Sequence, residues 1–280
     1  MIHLFKVEKI KTLAVLLFEK RIFFNFELLG HNLKVTKDIK RKRIERDYPW
    51  LFHLAKHSEH FYDVGCNVGY ISLIAAVLPN SKYIVALDPN PEAMSITAQN
   101  LIINGFGIKC KFITAFISDK SDQEVKFFTV GSGEAGSMFA THAVTAASLN
   151  SFYYVKTITI DEIMNLTKII PDLIKIDVEG AENLALKGSV ELAKKQITKI
   201  FVELHSVKER SMFETARFVI NWCVDNDYVA YYLTDGKILQ DPQKIAHRGK
   251  CHVLLLPKNI PYPEYLLNIQ EGSELPRLID

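Results

Sequence analysis

The chain of 280 residues has few cysteines, no apolar run long enough for a membrane and no large excess of either charge. Its four cysteines, at 66, 110, 223 and 251, lack the paired CxxC spacing of a structural zinc site. Each falls in a helical or strand-like stretch that suits a small hydrophobe, so neither disulfides nor zinc are expected. The apolar run LAVLLF at 13–18 is interrupted by Glu19, Lys20 and Arg21, too soon to span a bilayer, and no small-residue cleavage site follows it. A cytoplasmic location is therefore expected. Glycine and proline, at 13 and 10 residues, are ordinary, and no internal repeat is visible, which excludes fibrous and low-complexity classes.

What is present suits a globular protein. Hydrophobic residues make up 48% of the chain and charged ones 24%, enough to bury a full core. The net charge of +2 hides an asymmetry, because residues 1–50 hold 12 Lys+Arg against 6 Asp+Glu. The densest part, Lys40-Arg41-Lys42-Arg43 with Arg46, reads as a solvated helix face, or as a contact for phosphates of a membrane surface, a lipid-linked substrate or a nucleic acid. The amphipathic, aromatic-rich stretch 4–29 is expected to pack on the core, with peripheral membrane contact or a homodimer cap as alternatives. Three parts follow: a basic, partly helical extension at 1–58, a main domain at 59–256, and a tail at 257–280 whose four prolines suit a segment that wraps the surface or docks on a partner.

From residue 61 onward, short β-branched or aromatic runs alternate with helical patterns, which predicts an α/β fold with a mostly parallel sheet. Strands are read at 61–64, 83–87, 110–116, 124–130, 155–160, 173–176, 199–204, 228–233 and 251–256, and helices at 70–78, 91–103, 161–168 and 207–226. The closing pair, with Asp235-Gly236 in its connection, predicts antiparallel pairing at one edge. Residues 131–151, with three glycines and little periodicity, read as a mobile loop that suits a lid.

Chemistry collects at the strand ends. The first strand runs into Asp63-x-Gly65-x-Asn67-x-Gly69 and then a helix, where small residues let backbone approach a ligand. The G-x-G-x-x-G pattern of dinucleotide loops is missing, since Asn67 stands where a pyrophosphate needs glycine. That loop tolerates an amino-acid moiety, Asp63 offers an acceptor for a cationic amine, and Asp88 ends the second strand where an acid accepts ribose hydroxyls. These features suit S-adenosylmethionine better than a nicotinamide. A third strand end carries Asp177 and Glu179, and a fourth Glu203-Leu204-His205, residues able to take a proton from a substrate hydroxyl. Lys175, inside a strand, requires a partner if buried. His53 and His57, at i and i+4 with His60 nearby, have metal-ligand spacing but read as a wet helix face, so no metal ligand is assigned.

The stretches DVGCNVGY (63–70), ALDPNPEAMSITAQNLIING (86–105), ITIDEI (158–163), DLIKIDVEGAENLALKG (172–188) and FVELH (201–205) together resemble the FkbM family of methyltransferases. The resemblance implies a class I methyltransferase fold, with a seven-stranded sheet whose last strand is antiparallel, and O-methylation of sugars or related natural products. It makes Asp63, Gly65, Asn67 and Gly69 the loop for S-adenosylmethionine, with Asp88 on the ribose where the family usually has Glu. Ser118 and Asp119 resemble its adenine-side segment, and Asp177, Glu179 and His205 are implied near the reacting methyl. The acceptor is then a small molecule or glycan. A nucleic acid is disfavoured, because an acidic rim repels phosphates and the Asn/Asp-Pro-Pro-aromatic pattern of base-amino methylases is missing after the fourth strand. A nicotinamide-dependent oxidoreductase is the remaining alternative on a similar fold.

Overall fold

The computed structural model describes residues 23–41, 45–131, 136–138, 141 and 143–278. Most of the amphipathic stretch and the centre of the basic run therefore lie outside the described residues.

A hairpin comes first, β1 (Phe24–Leu28) pairing antiparallel with β2 (His31–Val35), so the end of the aromatic stretch is extended. Helices α1 (Lys37–Arg41) and α2 (Tyr48–Lys56) follow. A βαβαβ run is then built from β3 (His60–Val64), α3 (Tyr70–Val77), β4 (Tyr83–Asp88), α4 (Pro91–Ile103) and β5 (Cys110–Thr114). Helix α4 starts where its sequence dictates: Pro91 occupies the first turn, and the Asn90 side chain accepts hydrogen bonds from the amides of Glu92 and Ala93.

After β5 the chain leaves the main sheet. The short β6 (Phe116–Ile117) and then β7 (Glu124–Phe128) both pair with β8 (Phe152–Ile158), forming a separate three-stranded sheet. Only one face of β7 and β8 packs inward, through Phe127 and Val155, as suits an antiparallel pair wet on its other side. The segment read as a loop at 131–151 contains a one-turn helix, α5 (Val144–Ser148). The chain continues through α6 (Ile160–Thr167), β9 (Leu173–Ile176), α7 (Glu182–Lys187), α8 (Val190–Ala193), β10 (Lys199–His205), α9 (Met212–Asp225), β11 (Tyr228–Tyr232), β12 (Lys237–Ile238) and β13 (Lys250–Pro257). Helix α9 begins five residues later than its periodicity predicts, because Ser211 and Glu214 form a capping box that fixes its first turn.

Among the described residues the main sheet has eight strands in the order β12-β11-β13-β10-β9-β3-β4-β5. Strands β10, β9, β3, β4 and β5 are parallel neighbours. The expected antiparallel pair is β11 with β13, and β13 slots between β10 and β11. The two-residue β12 adds an eighth strand to the seven expected, as the returning arm of a turn at Asp235-Gly236.

Alternation along β3 shows how the sheet is covered. Tyr62 and Val64 face a core shared with α6, α7 and α9, whereas Phe61 faces a second core with α2, α3 and α4. Each fully buried Leu, Ile or Phe on these faces contributes roughly 1.5–3 kcal/mol. The tail wraps over the N-terminal elements. Trp50 Nε1 donates to the Ile269 carbonyl at 3.1 Å, the Gly272 amide to the Arg46 carbonyl at 2.6 Å, and the His57 ring stacks 3.9 Å from Tyr265. No helix among the described residues is long and apolar enough to cross a membrane.

Candidate functional site

The loop after β3 is held by backbone. The amides of Gly65 and Cys66 donate to the Leu87 carbonyl at 2.8 and 3.0 Å, and the Asn67 amide donates to Asp88 Oδ2 at 2.8 Å. Gly65 has φ +81°, and a Cβ there would stand 1.8 Å from the Asp177 carbonyl oxygen, so only glycine fits. Gly69 caps α3 at φ +84°, where a Cβ would strike the Thr97 side chain. Asn67 is also left-handed, at φ 49°, a conformation that asparagine tolerates better than other side chains, and its Oδ1 accepts from the Val68 amide at 2.7 Å.

A cleft opens at the carboxyl ends of β3, β4, β9 and β10, where open α/β sheets bind ligands. Gly65, Asn67, Asp88, Phe116 and Ile117 line one part, and Asp47, Tyr48, Tyr70, Asp177, Glu203 and Lys250 line another. Glu179 lines it as well. Asp88 spends one oxygen on the Asn67 amide and the other on the Asn90 amide, both at 2.8 Å. A carboxylate has about four acceptor sites, so capacity for a ligand hydroxyl remains. Burial raises the Asp88 pKa to about 6, against the pull of those two amides.

Asp63, Ser118, Asp119 and His205 are not among the residues that line the cleft. Asp63 is fully buried, accepts from Ser72 Oγ at 2.6 Å and lies 3.4 Å from Lys175 Nζ. The Ser118 amide donates to the Ile158 carbonyl and its hydroxyl to Asp119, and the preceding Phe116 and Ile117 line the cleft instead. His205 sits behind the wall. Its Nδ1 lies 2.9 Å from Glu182, and its Nε2 lies 3.5 Å from Glu179 and 3.7 Å from Glu203. Burial lowers its pKa, but Glu182, Asp177 and Glu179 outweigh burial and push it up to about 10. These carboxylates favour the protonated imidazole at this position.

Lys175 meets its expected partners. Its ammonium donates to the Gly65 carbonyl at 2.8 Å and lies 3.3 Å from Asp177 and 3.4 Å from Asp63. Burial alone would depress it, yet Asp177 and Asp63 hold it above its ordinary value. Asp177 is raised to about 7, chiefly by burial and further by Glu203 and Glu179, with Lys175 and His205 opposing. A carboxyl poised there is matched to accepting a proton near neutrality. Glu203 behaves oppositely: burial raises it, but His252, His205 and Lys250 hold it well below the usual carboxylate range.

Sequence reasoning missed Asp47, Tyr48, Tyr70 and Lys250. Tyr48 and Tyr70 stack with ring centroids 5.0 Å apart, and Lys250 pairs with Glu203 Oε1. Asp47 before Tyr48-Pro49 carries a helix-start signal, but nothing local says that the helix folds over the strand ends. The histidines at 53, 57 and 60 stay apart from the cleft: His53 packs on Phe52, His57 on Tyr265, and His60 faces Asp172. All four cysteines are free, and Cys66 packs its sulfur 3.4 Å from Met94.

The methyltransferase FkbM domain matches residues 63–230. Among solved structures, a methyltransferase FkbM from Methylobacillus flagellatus KT is 18% identical, with 70% of this chain and 43% of that one covered and a TM-score of 0.44. This chain thus spans less than half of that protein's length. An O-methyltransferase from Bacillus cereus in complex with SAH is 13% identical over 78% of this chain and 84% of that one, with a TM-score of 0.44. An rRNA methylase from Streptococcus thermophilus is 11% identical over 77% and 99%, with a TM-score of 0.45. No curated protein matches. With the domain match covering well over half of the chain, including the Gly65 loop, Asp88, Asp177 and β10, the protein belongs to the methyltransferase FkbM domain family.

Proposed function

We propose that the protein transfers a methyl group from S-adenosylmethionine to a hydroxyl of a small acceptor, such as a sugar, a glycolipid or a related natural product. The observation that carries this reading is the division of one cleft into a backbone-built part at Gly65, Asn67 and Asp88 and a carboxylate-rich part at Asp47, Asp177 and Glu203. The first part suits the cofactor. Asp88 retains acceptor capacity for ribose hydroxyls, and Phe116 with Ile117 offers an apolar wall for a purine. Asn67 fills the space that a pyrophosphate would need, which disfavours a nicotinamide dinucleotide.

When bound, S-adenosylmethionine supplies a methyl on a sulfonium and leaves as a neutral thioether. The residues of the second part orient the acceptor, and much of the acceleration in such an in-line displacement comes from positioning. Asp177 is the group we assign to take the hydroxyl proton, because it lines the cleft beside Gly65 and burial with neighbouring Glu203 and Glu179 raises it above the usual carboxylate range. Tyr48 and Tyr70 give that part an aromatic wall on which a ring can rest. The surrounding carboxylates accept hydrogen bonds from hydroxyls and repel phosphodiesters.

A labelled-methyl screen tests the reading, with glycans, glycolipids and small phenols set against RNA and DNA. Incorporation into a hydroxylated small acceptor is expected. Salt-sensitive incorporation into nucleic acid alone would refute it.

A further inference from the structure

Beside Asp177, the carboxylate-rich part of the cleft continues into a second group of side chains. Asp47, Glu203 and His252 each offer a ligand atom, and these atoms lie within 4.8 Å of one another. They come from three separate elements: the start of α2, the middle of β10 and the middle of β13. All three residues are at least nine-tenths buried, with exposures of 3%, 2% and 7%.

Two features mark this group beyond the ion pair of Glu203 with His252. First, His252 Nε2 is buried and has no hydrogen-bond partner among the described residues. Its nearest acid is Glu203 Oε2 at 3.6 Å, an ion-pair distance longer than a normal hydrogen bond, set by the β10–β13 register that places the two residues opposite each other. Second, Asp47 precedes α2, where an aspartate ordinarily accepts from a first-turn amide, yet its side chain makes no such bond. A nitrogen and an oxygen held 3.6 Å apart are spaced to share one cation at about 2.0–2.2 Å from each.

We infer that Asp47, Glu203 and His252 form a binding site for a divalent first-row transition-metal ion on the wall of the cleft. Glu203 divides its oxygens, with Oε1 toward Lys250 and Oε2 toward His252, so the ion does not compete with the ammonium for the same atom. An imidazole with two carboxylates suits manganese, iron, cobalt or zinc better than calcium. Asp47 and Glu203 line the cleft, so the remaining coordination positions face the space where an acceptor would sit. There the ion would hold an acceptor oxygen, since a bound cation polarises and acidifies what it ligates. The neighbouring group of Asp177, Glu203 and His205 is the weaker candidate. Lys175 already pairs with Asp177, and the His205 ring is held between Glu182 and Glu179. Metal binding goes beyond the methyl-transfer reading and stands or falls without it.

The test is Mn²⁺ binding to the full chain followed by electron paramagnetic resonance, with no methyl donor or acceptor present. One tightly held ion per chain is expected, displaced by Zn²⁺. Asp47→Asn, Glu203→Gln and His252→Gln should each weaken it by at least about tenfold, with circular dichroism showing which variants remain folded. His53→Ala should leave it unchanged, because the His53 ring packs on Phe52, away from the cleft. Failure to bind Mn²⁺ overturns the inference. So does binding that survives in folded Asp47→Asn and His252→Gln but disappears in His53→Ala.

Discussion

The two parts of the cleft are built in different ways. The part around Gly65 and Asp88 is made by backbone: consecutive amides after β3 are pinned to the Leu87 carbonyl and the Asp88 carboxylate, and the loop closes within about 25 residues of chain. The part around Asp177 and Glu203 is made by side chains from α2, α3, β9, β10 and β13, which meet only in the folded protein. Where backbone forms a site, the residues it needs are small and their spacing is rigid. Where side chains form it, the same strand ends admit many acceptors. On the proposed reading, the cofactor end is accordingly the specific one and the acceptor end the adaptable one.

The largest effect should come from the residue that joins the two parts. Lys175→Met strands the Asp63 and Asp177 carboxylates in a buried site, a loss of about 3–5 kcal/mol that urea denaturation would read. If stability fell by less than about 1 kcal/mol, the two parts would not be electrostatically linked through Lys175. Next is Gly65→Ala, in which the new methyl group would strike the Asp177 carbonyl at a φ that alanine avoids. A stability loss of about 3 kcal/mol is expected, along with at least about a hundredfold loss of S-adenosylmethionine affinity by calorimetry.

These two predictions rest on residues that the sequence made readable to different degrees. The strand-loop-helix order, Gly65, Asn67 and Asp88 were legible because each is fixed by neighbours close in the chain. Lys175 was legible as a problem, a charge inside an apolar strand, and the structure supplied the two acids that solve it. Asp47, Tyr48 and Lys250 were not legible, since their part in the cleft depends on how α2 and β13 cross the sheet, and no local spacing encodes that. The surroundings of His205 were not legible, because an imidazole at a strand end looks alike whether it faces solvent or three carboxylates. The separate sheet of β6, β7 and β8 was missed for a related reason: half-buried alternation tells that a strand has one wet face, not which sheet it joins.

Smaller effects should separate the two ends. Asp177→Asn is expected to lower single-turnover methyl transfer by about a hundredfold while changing S-adenosylmethionine affinity by less than about twofold. Equal losses in both would place Asp177 at the cofactor instead. Asp88→Ala should show the converse, with affinity for the cofactor reduced by about tenfold as its ribose acceptor is removed. The Asp88 carboxyl titrates at about 6, so the wild-type protein should bind S-adenosylmethionine more weakly as pH falls through that value, when the carboxylate loses its charge. The same titration of Asp88→Asn should be flat over that range.

The most direct measurement is a calorimetric titration of the wild-type chain and Asp88→Ala with S-adenosylmethionine and, separately, with NADH. Wild-type protein should bind S-adenosylmethionine and not NADH, and Asp88→Ala should bind S-adenosylmethionine about tenfold more weakly. Binding of NADH without S-adenosylmethionine, or equal affinity in the two proteins, would contradict the assignment of the Gly65 and Asp88 end of the cleft to the methyl donor.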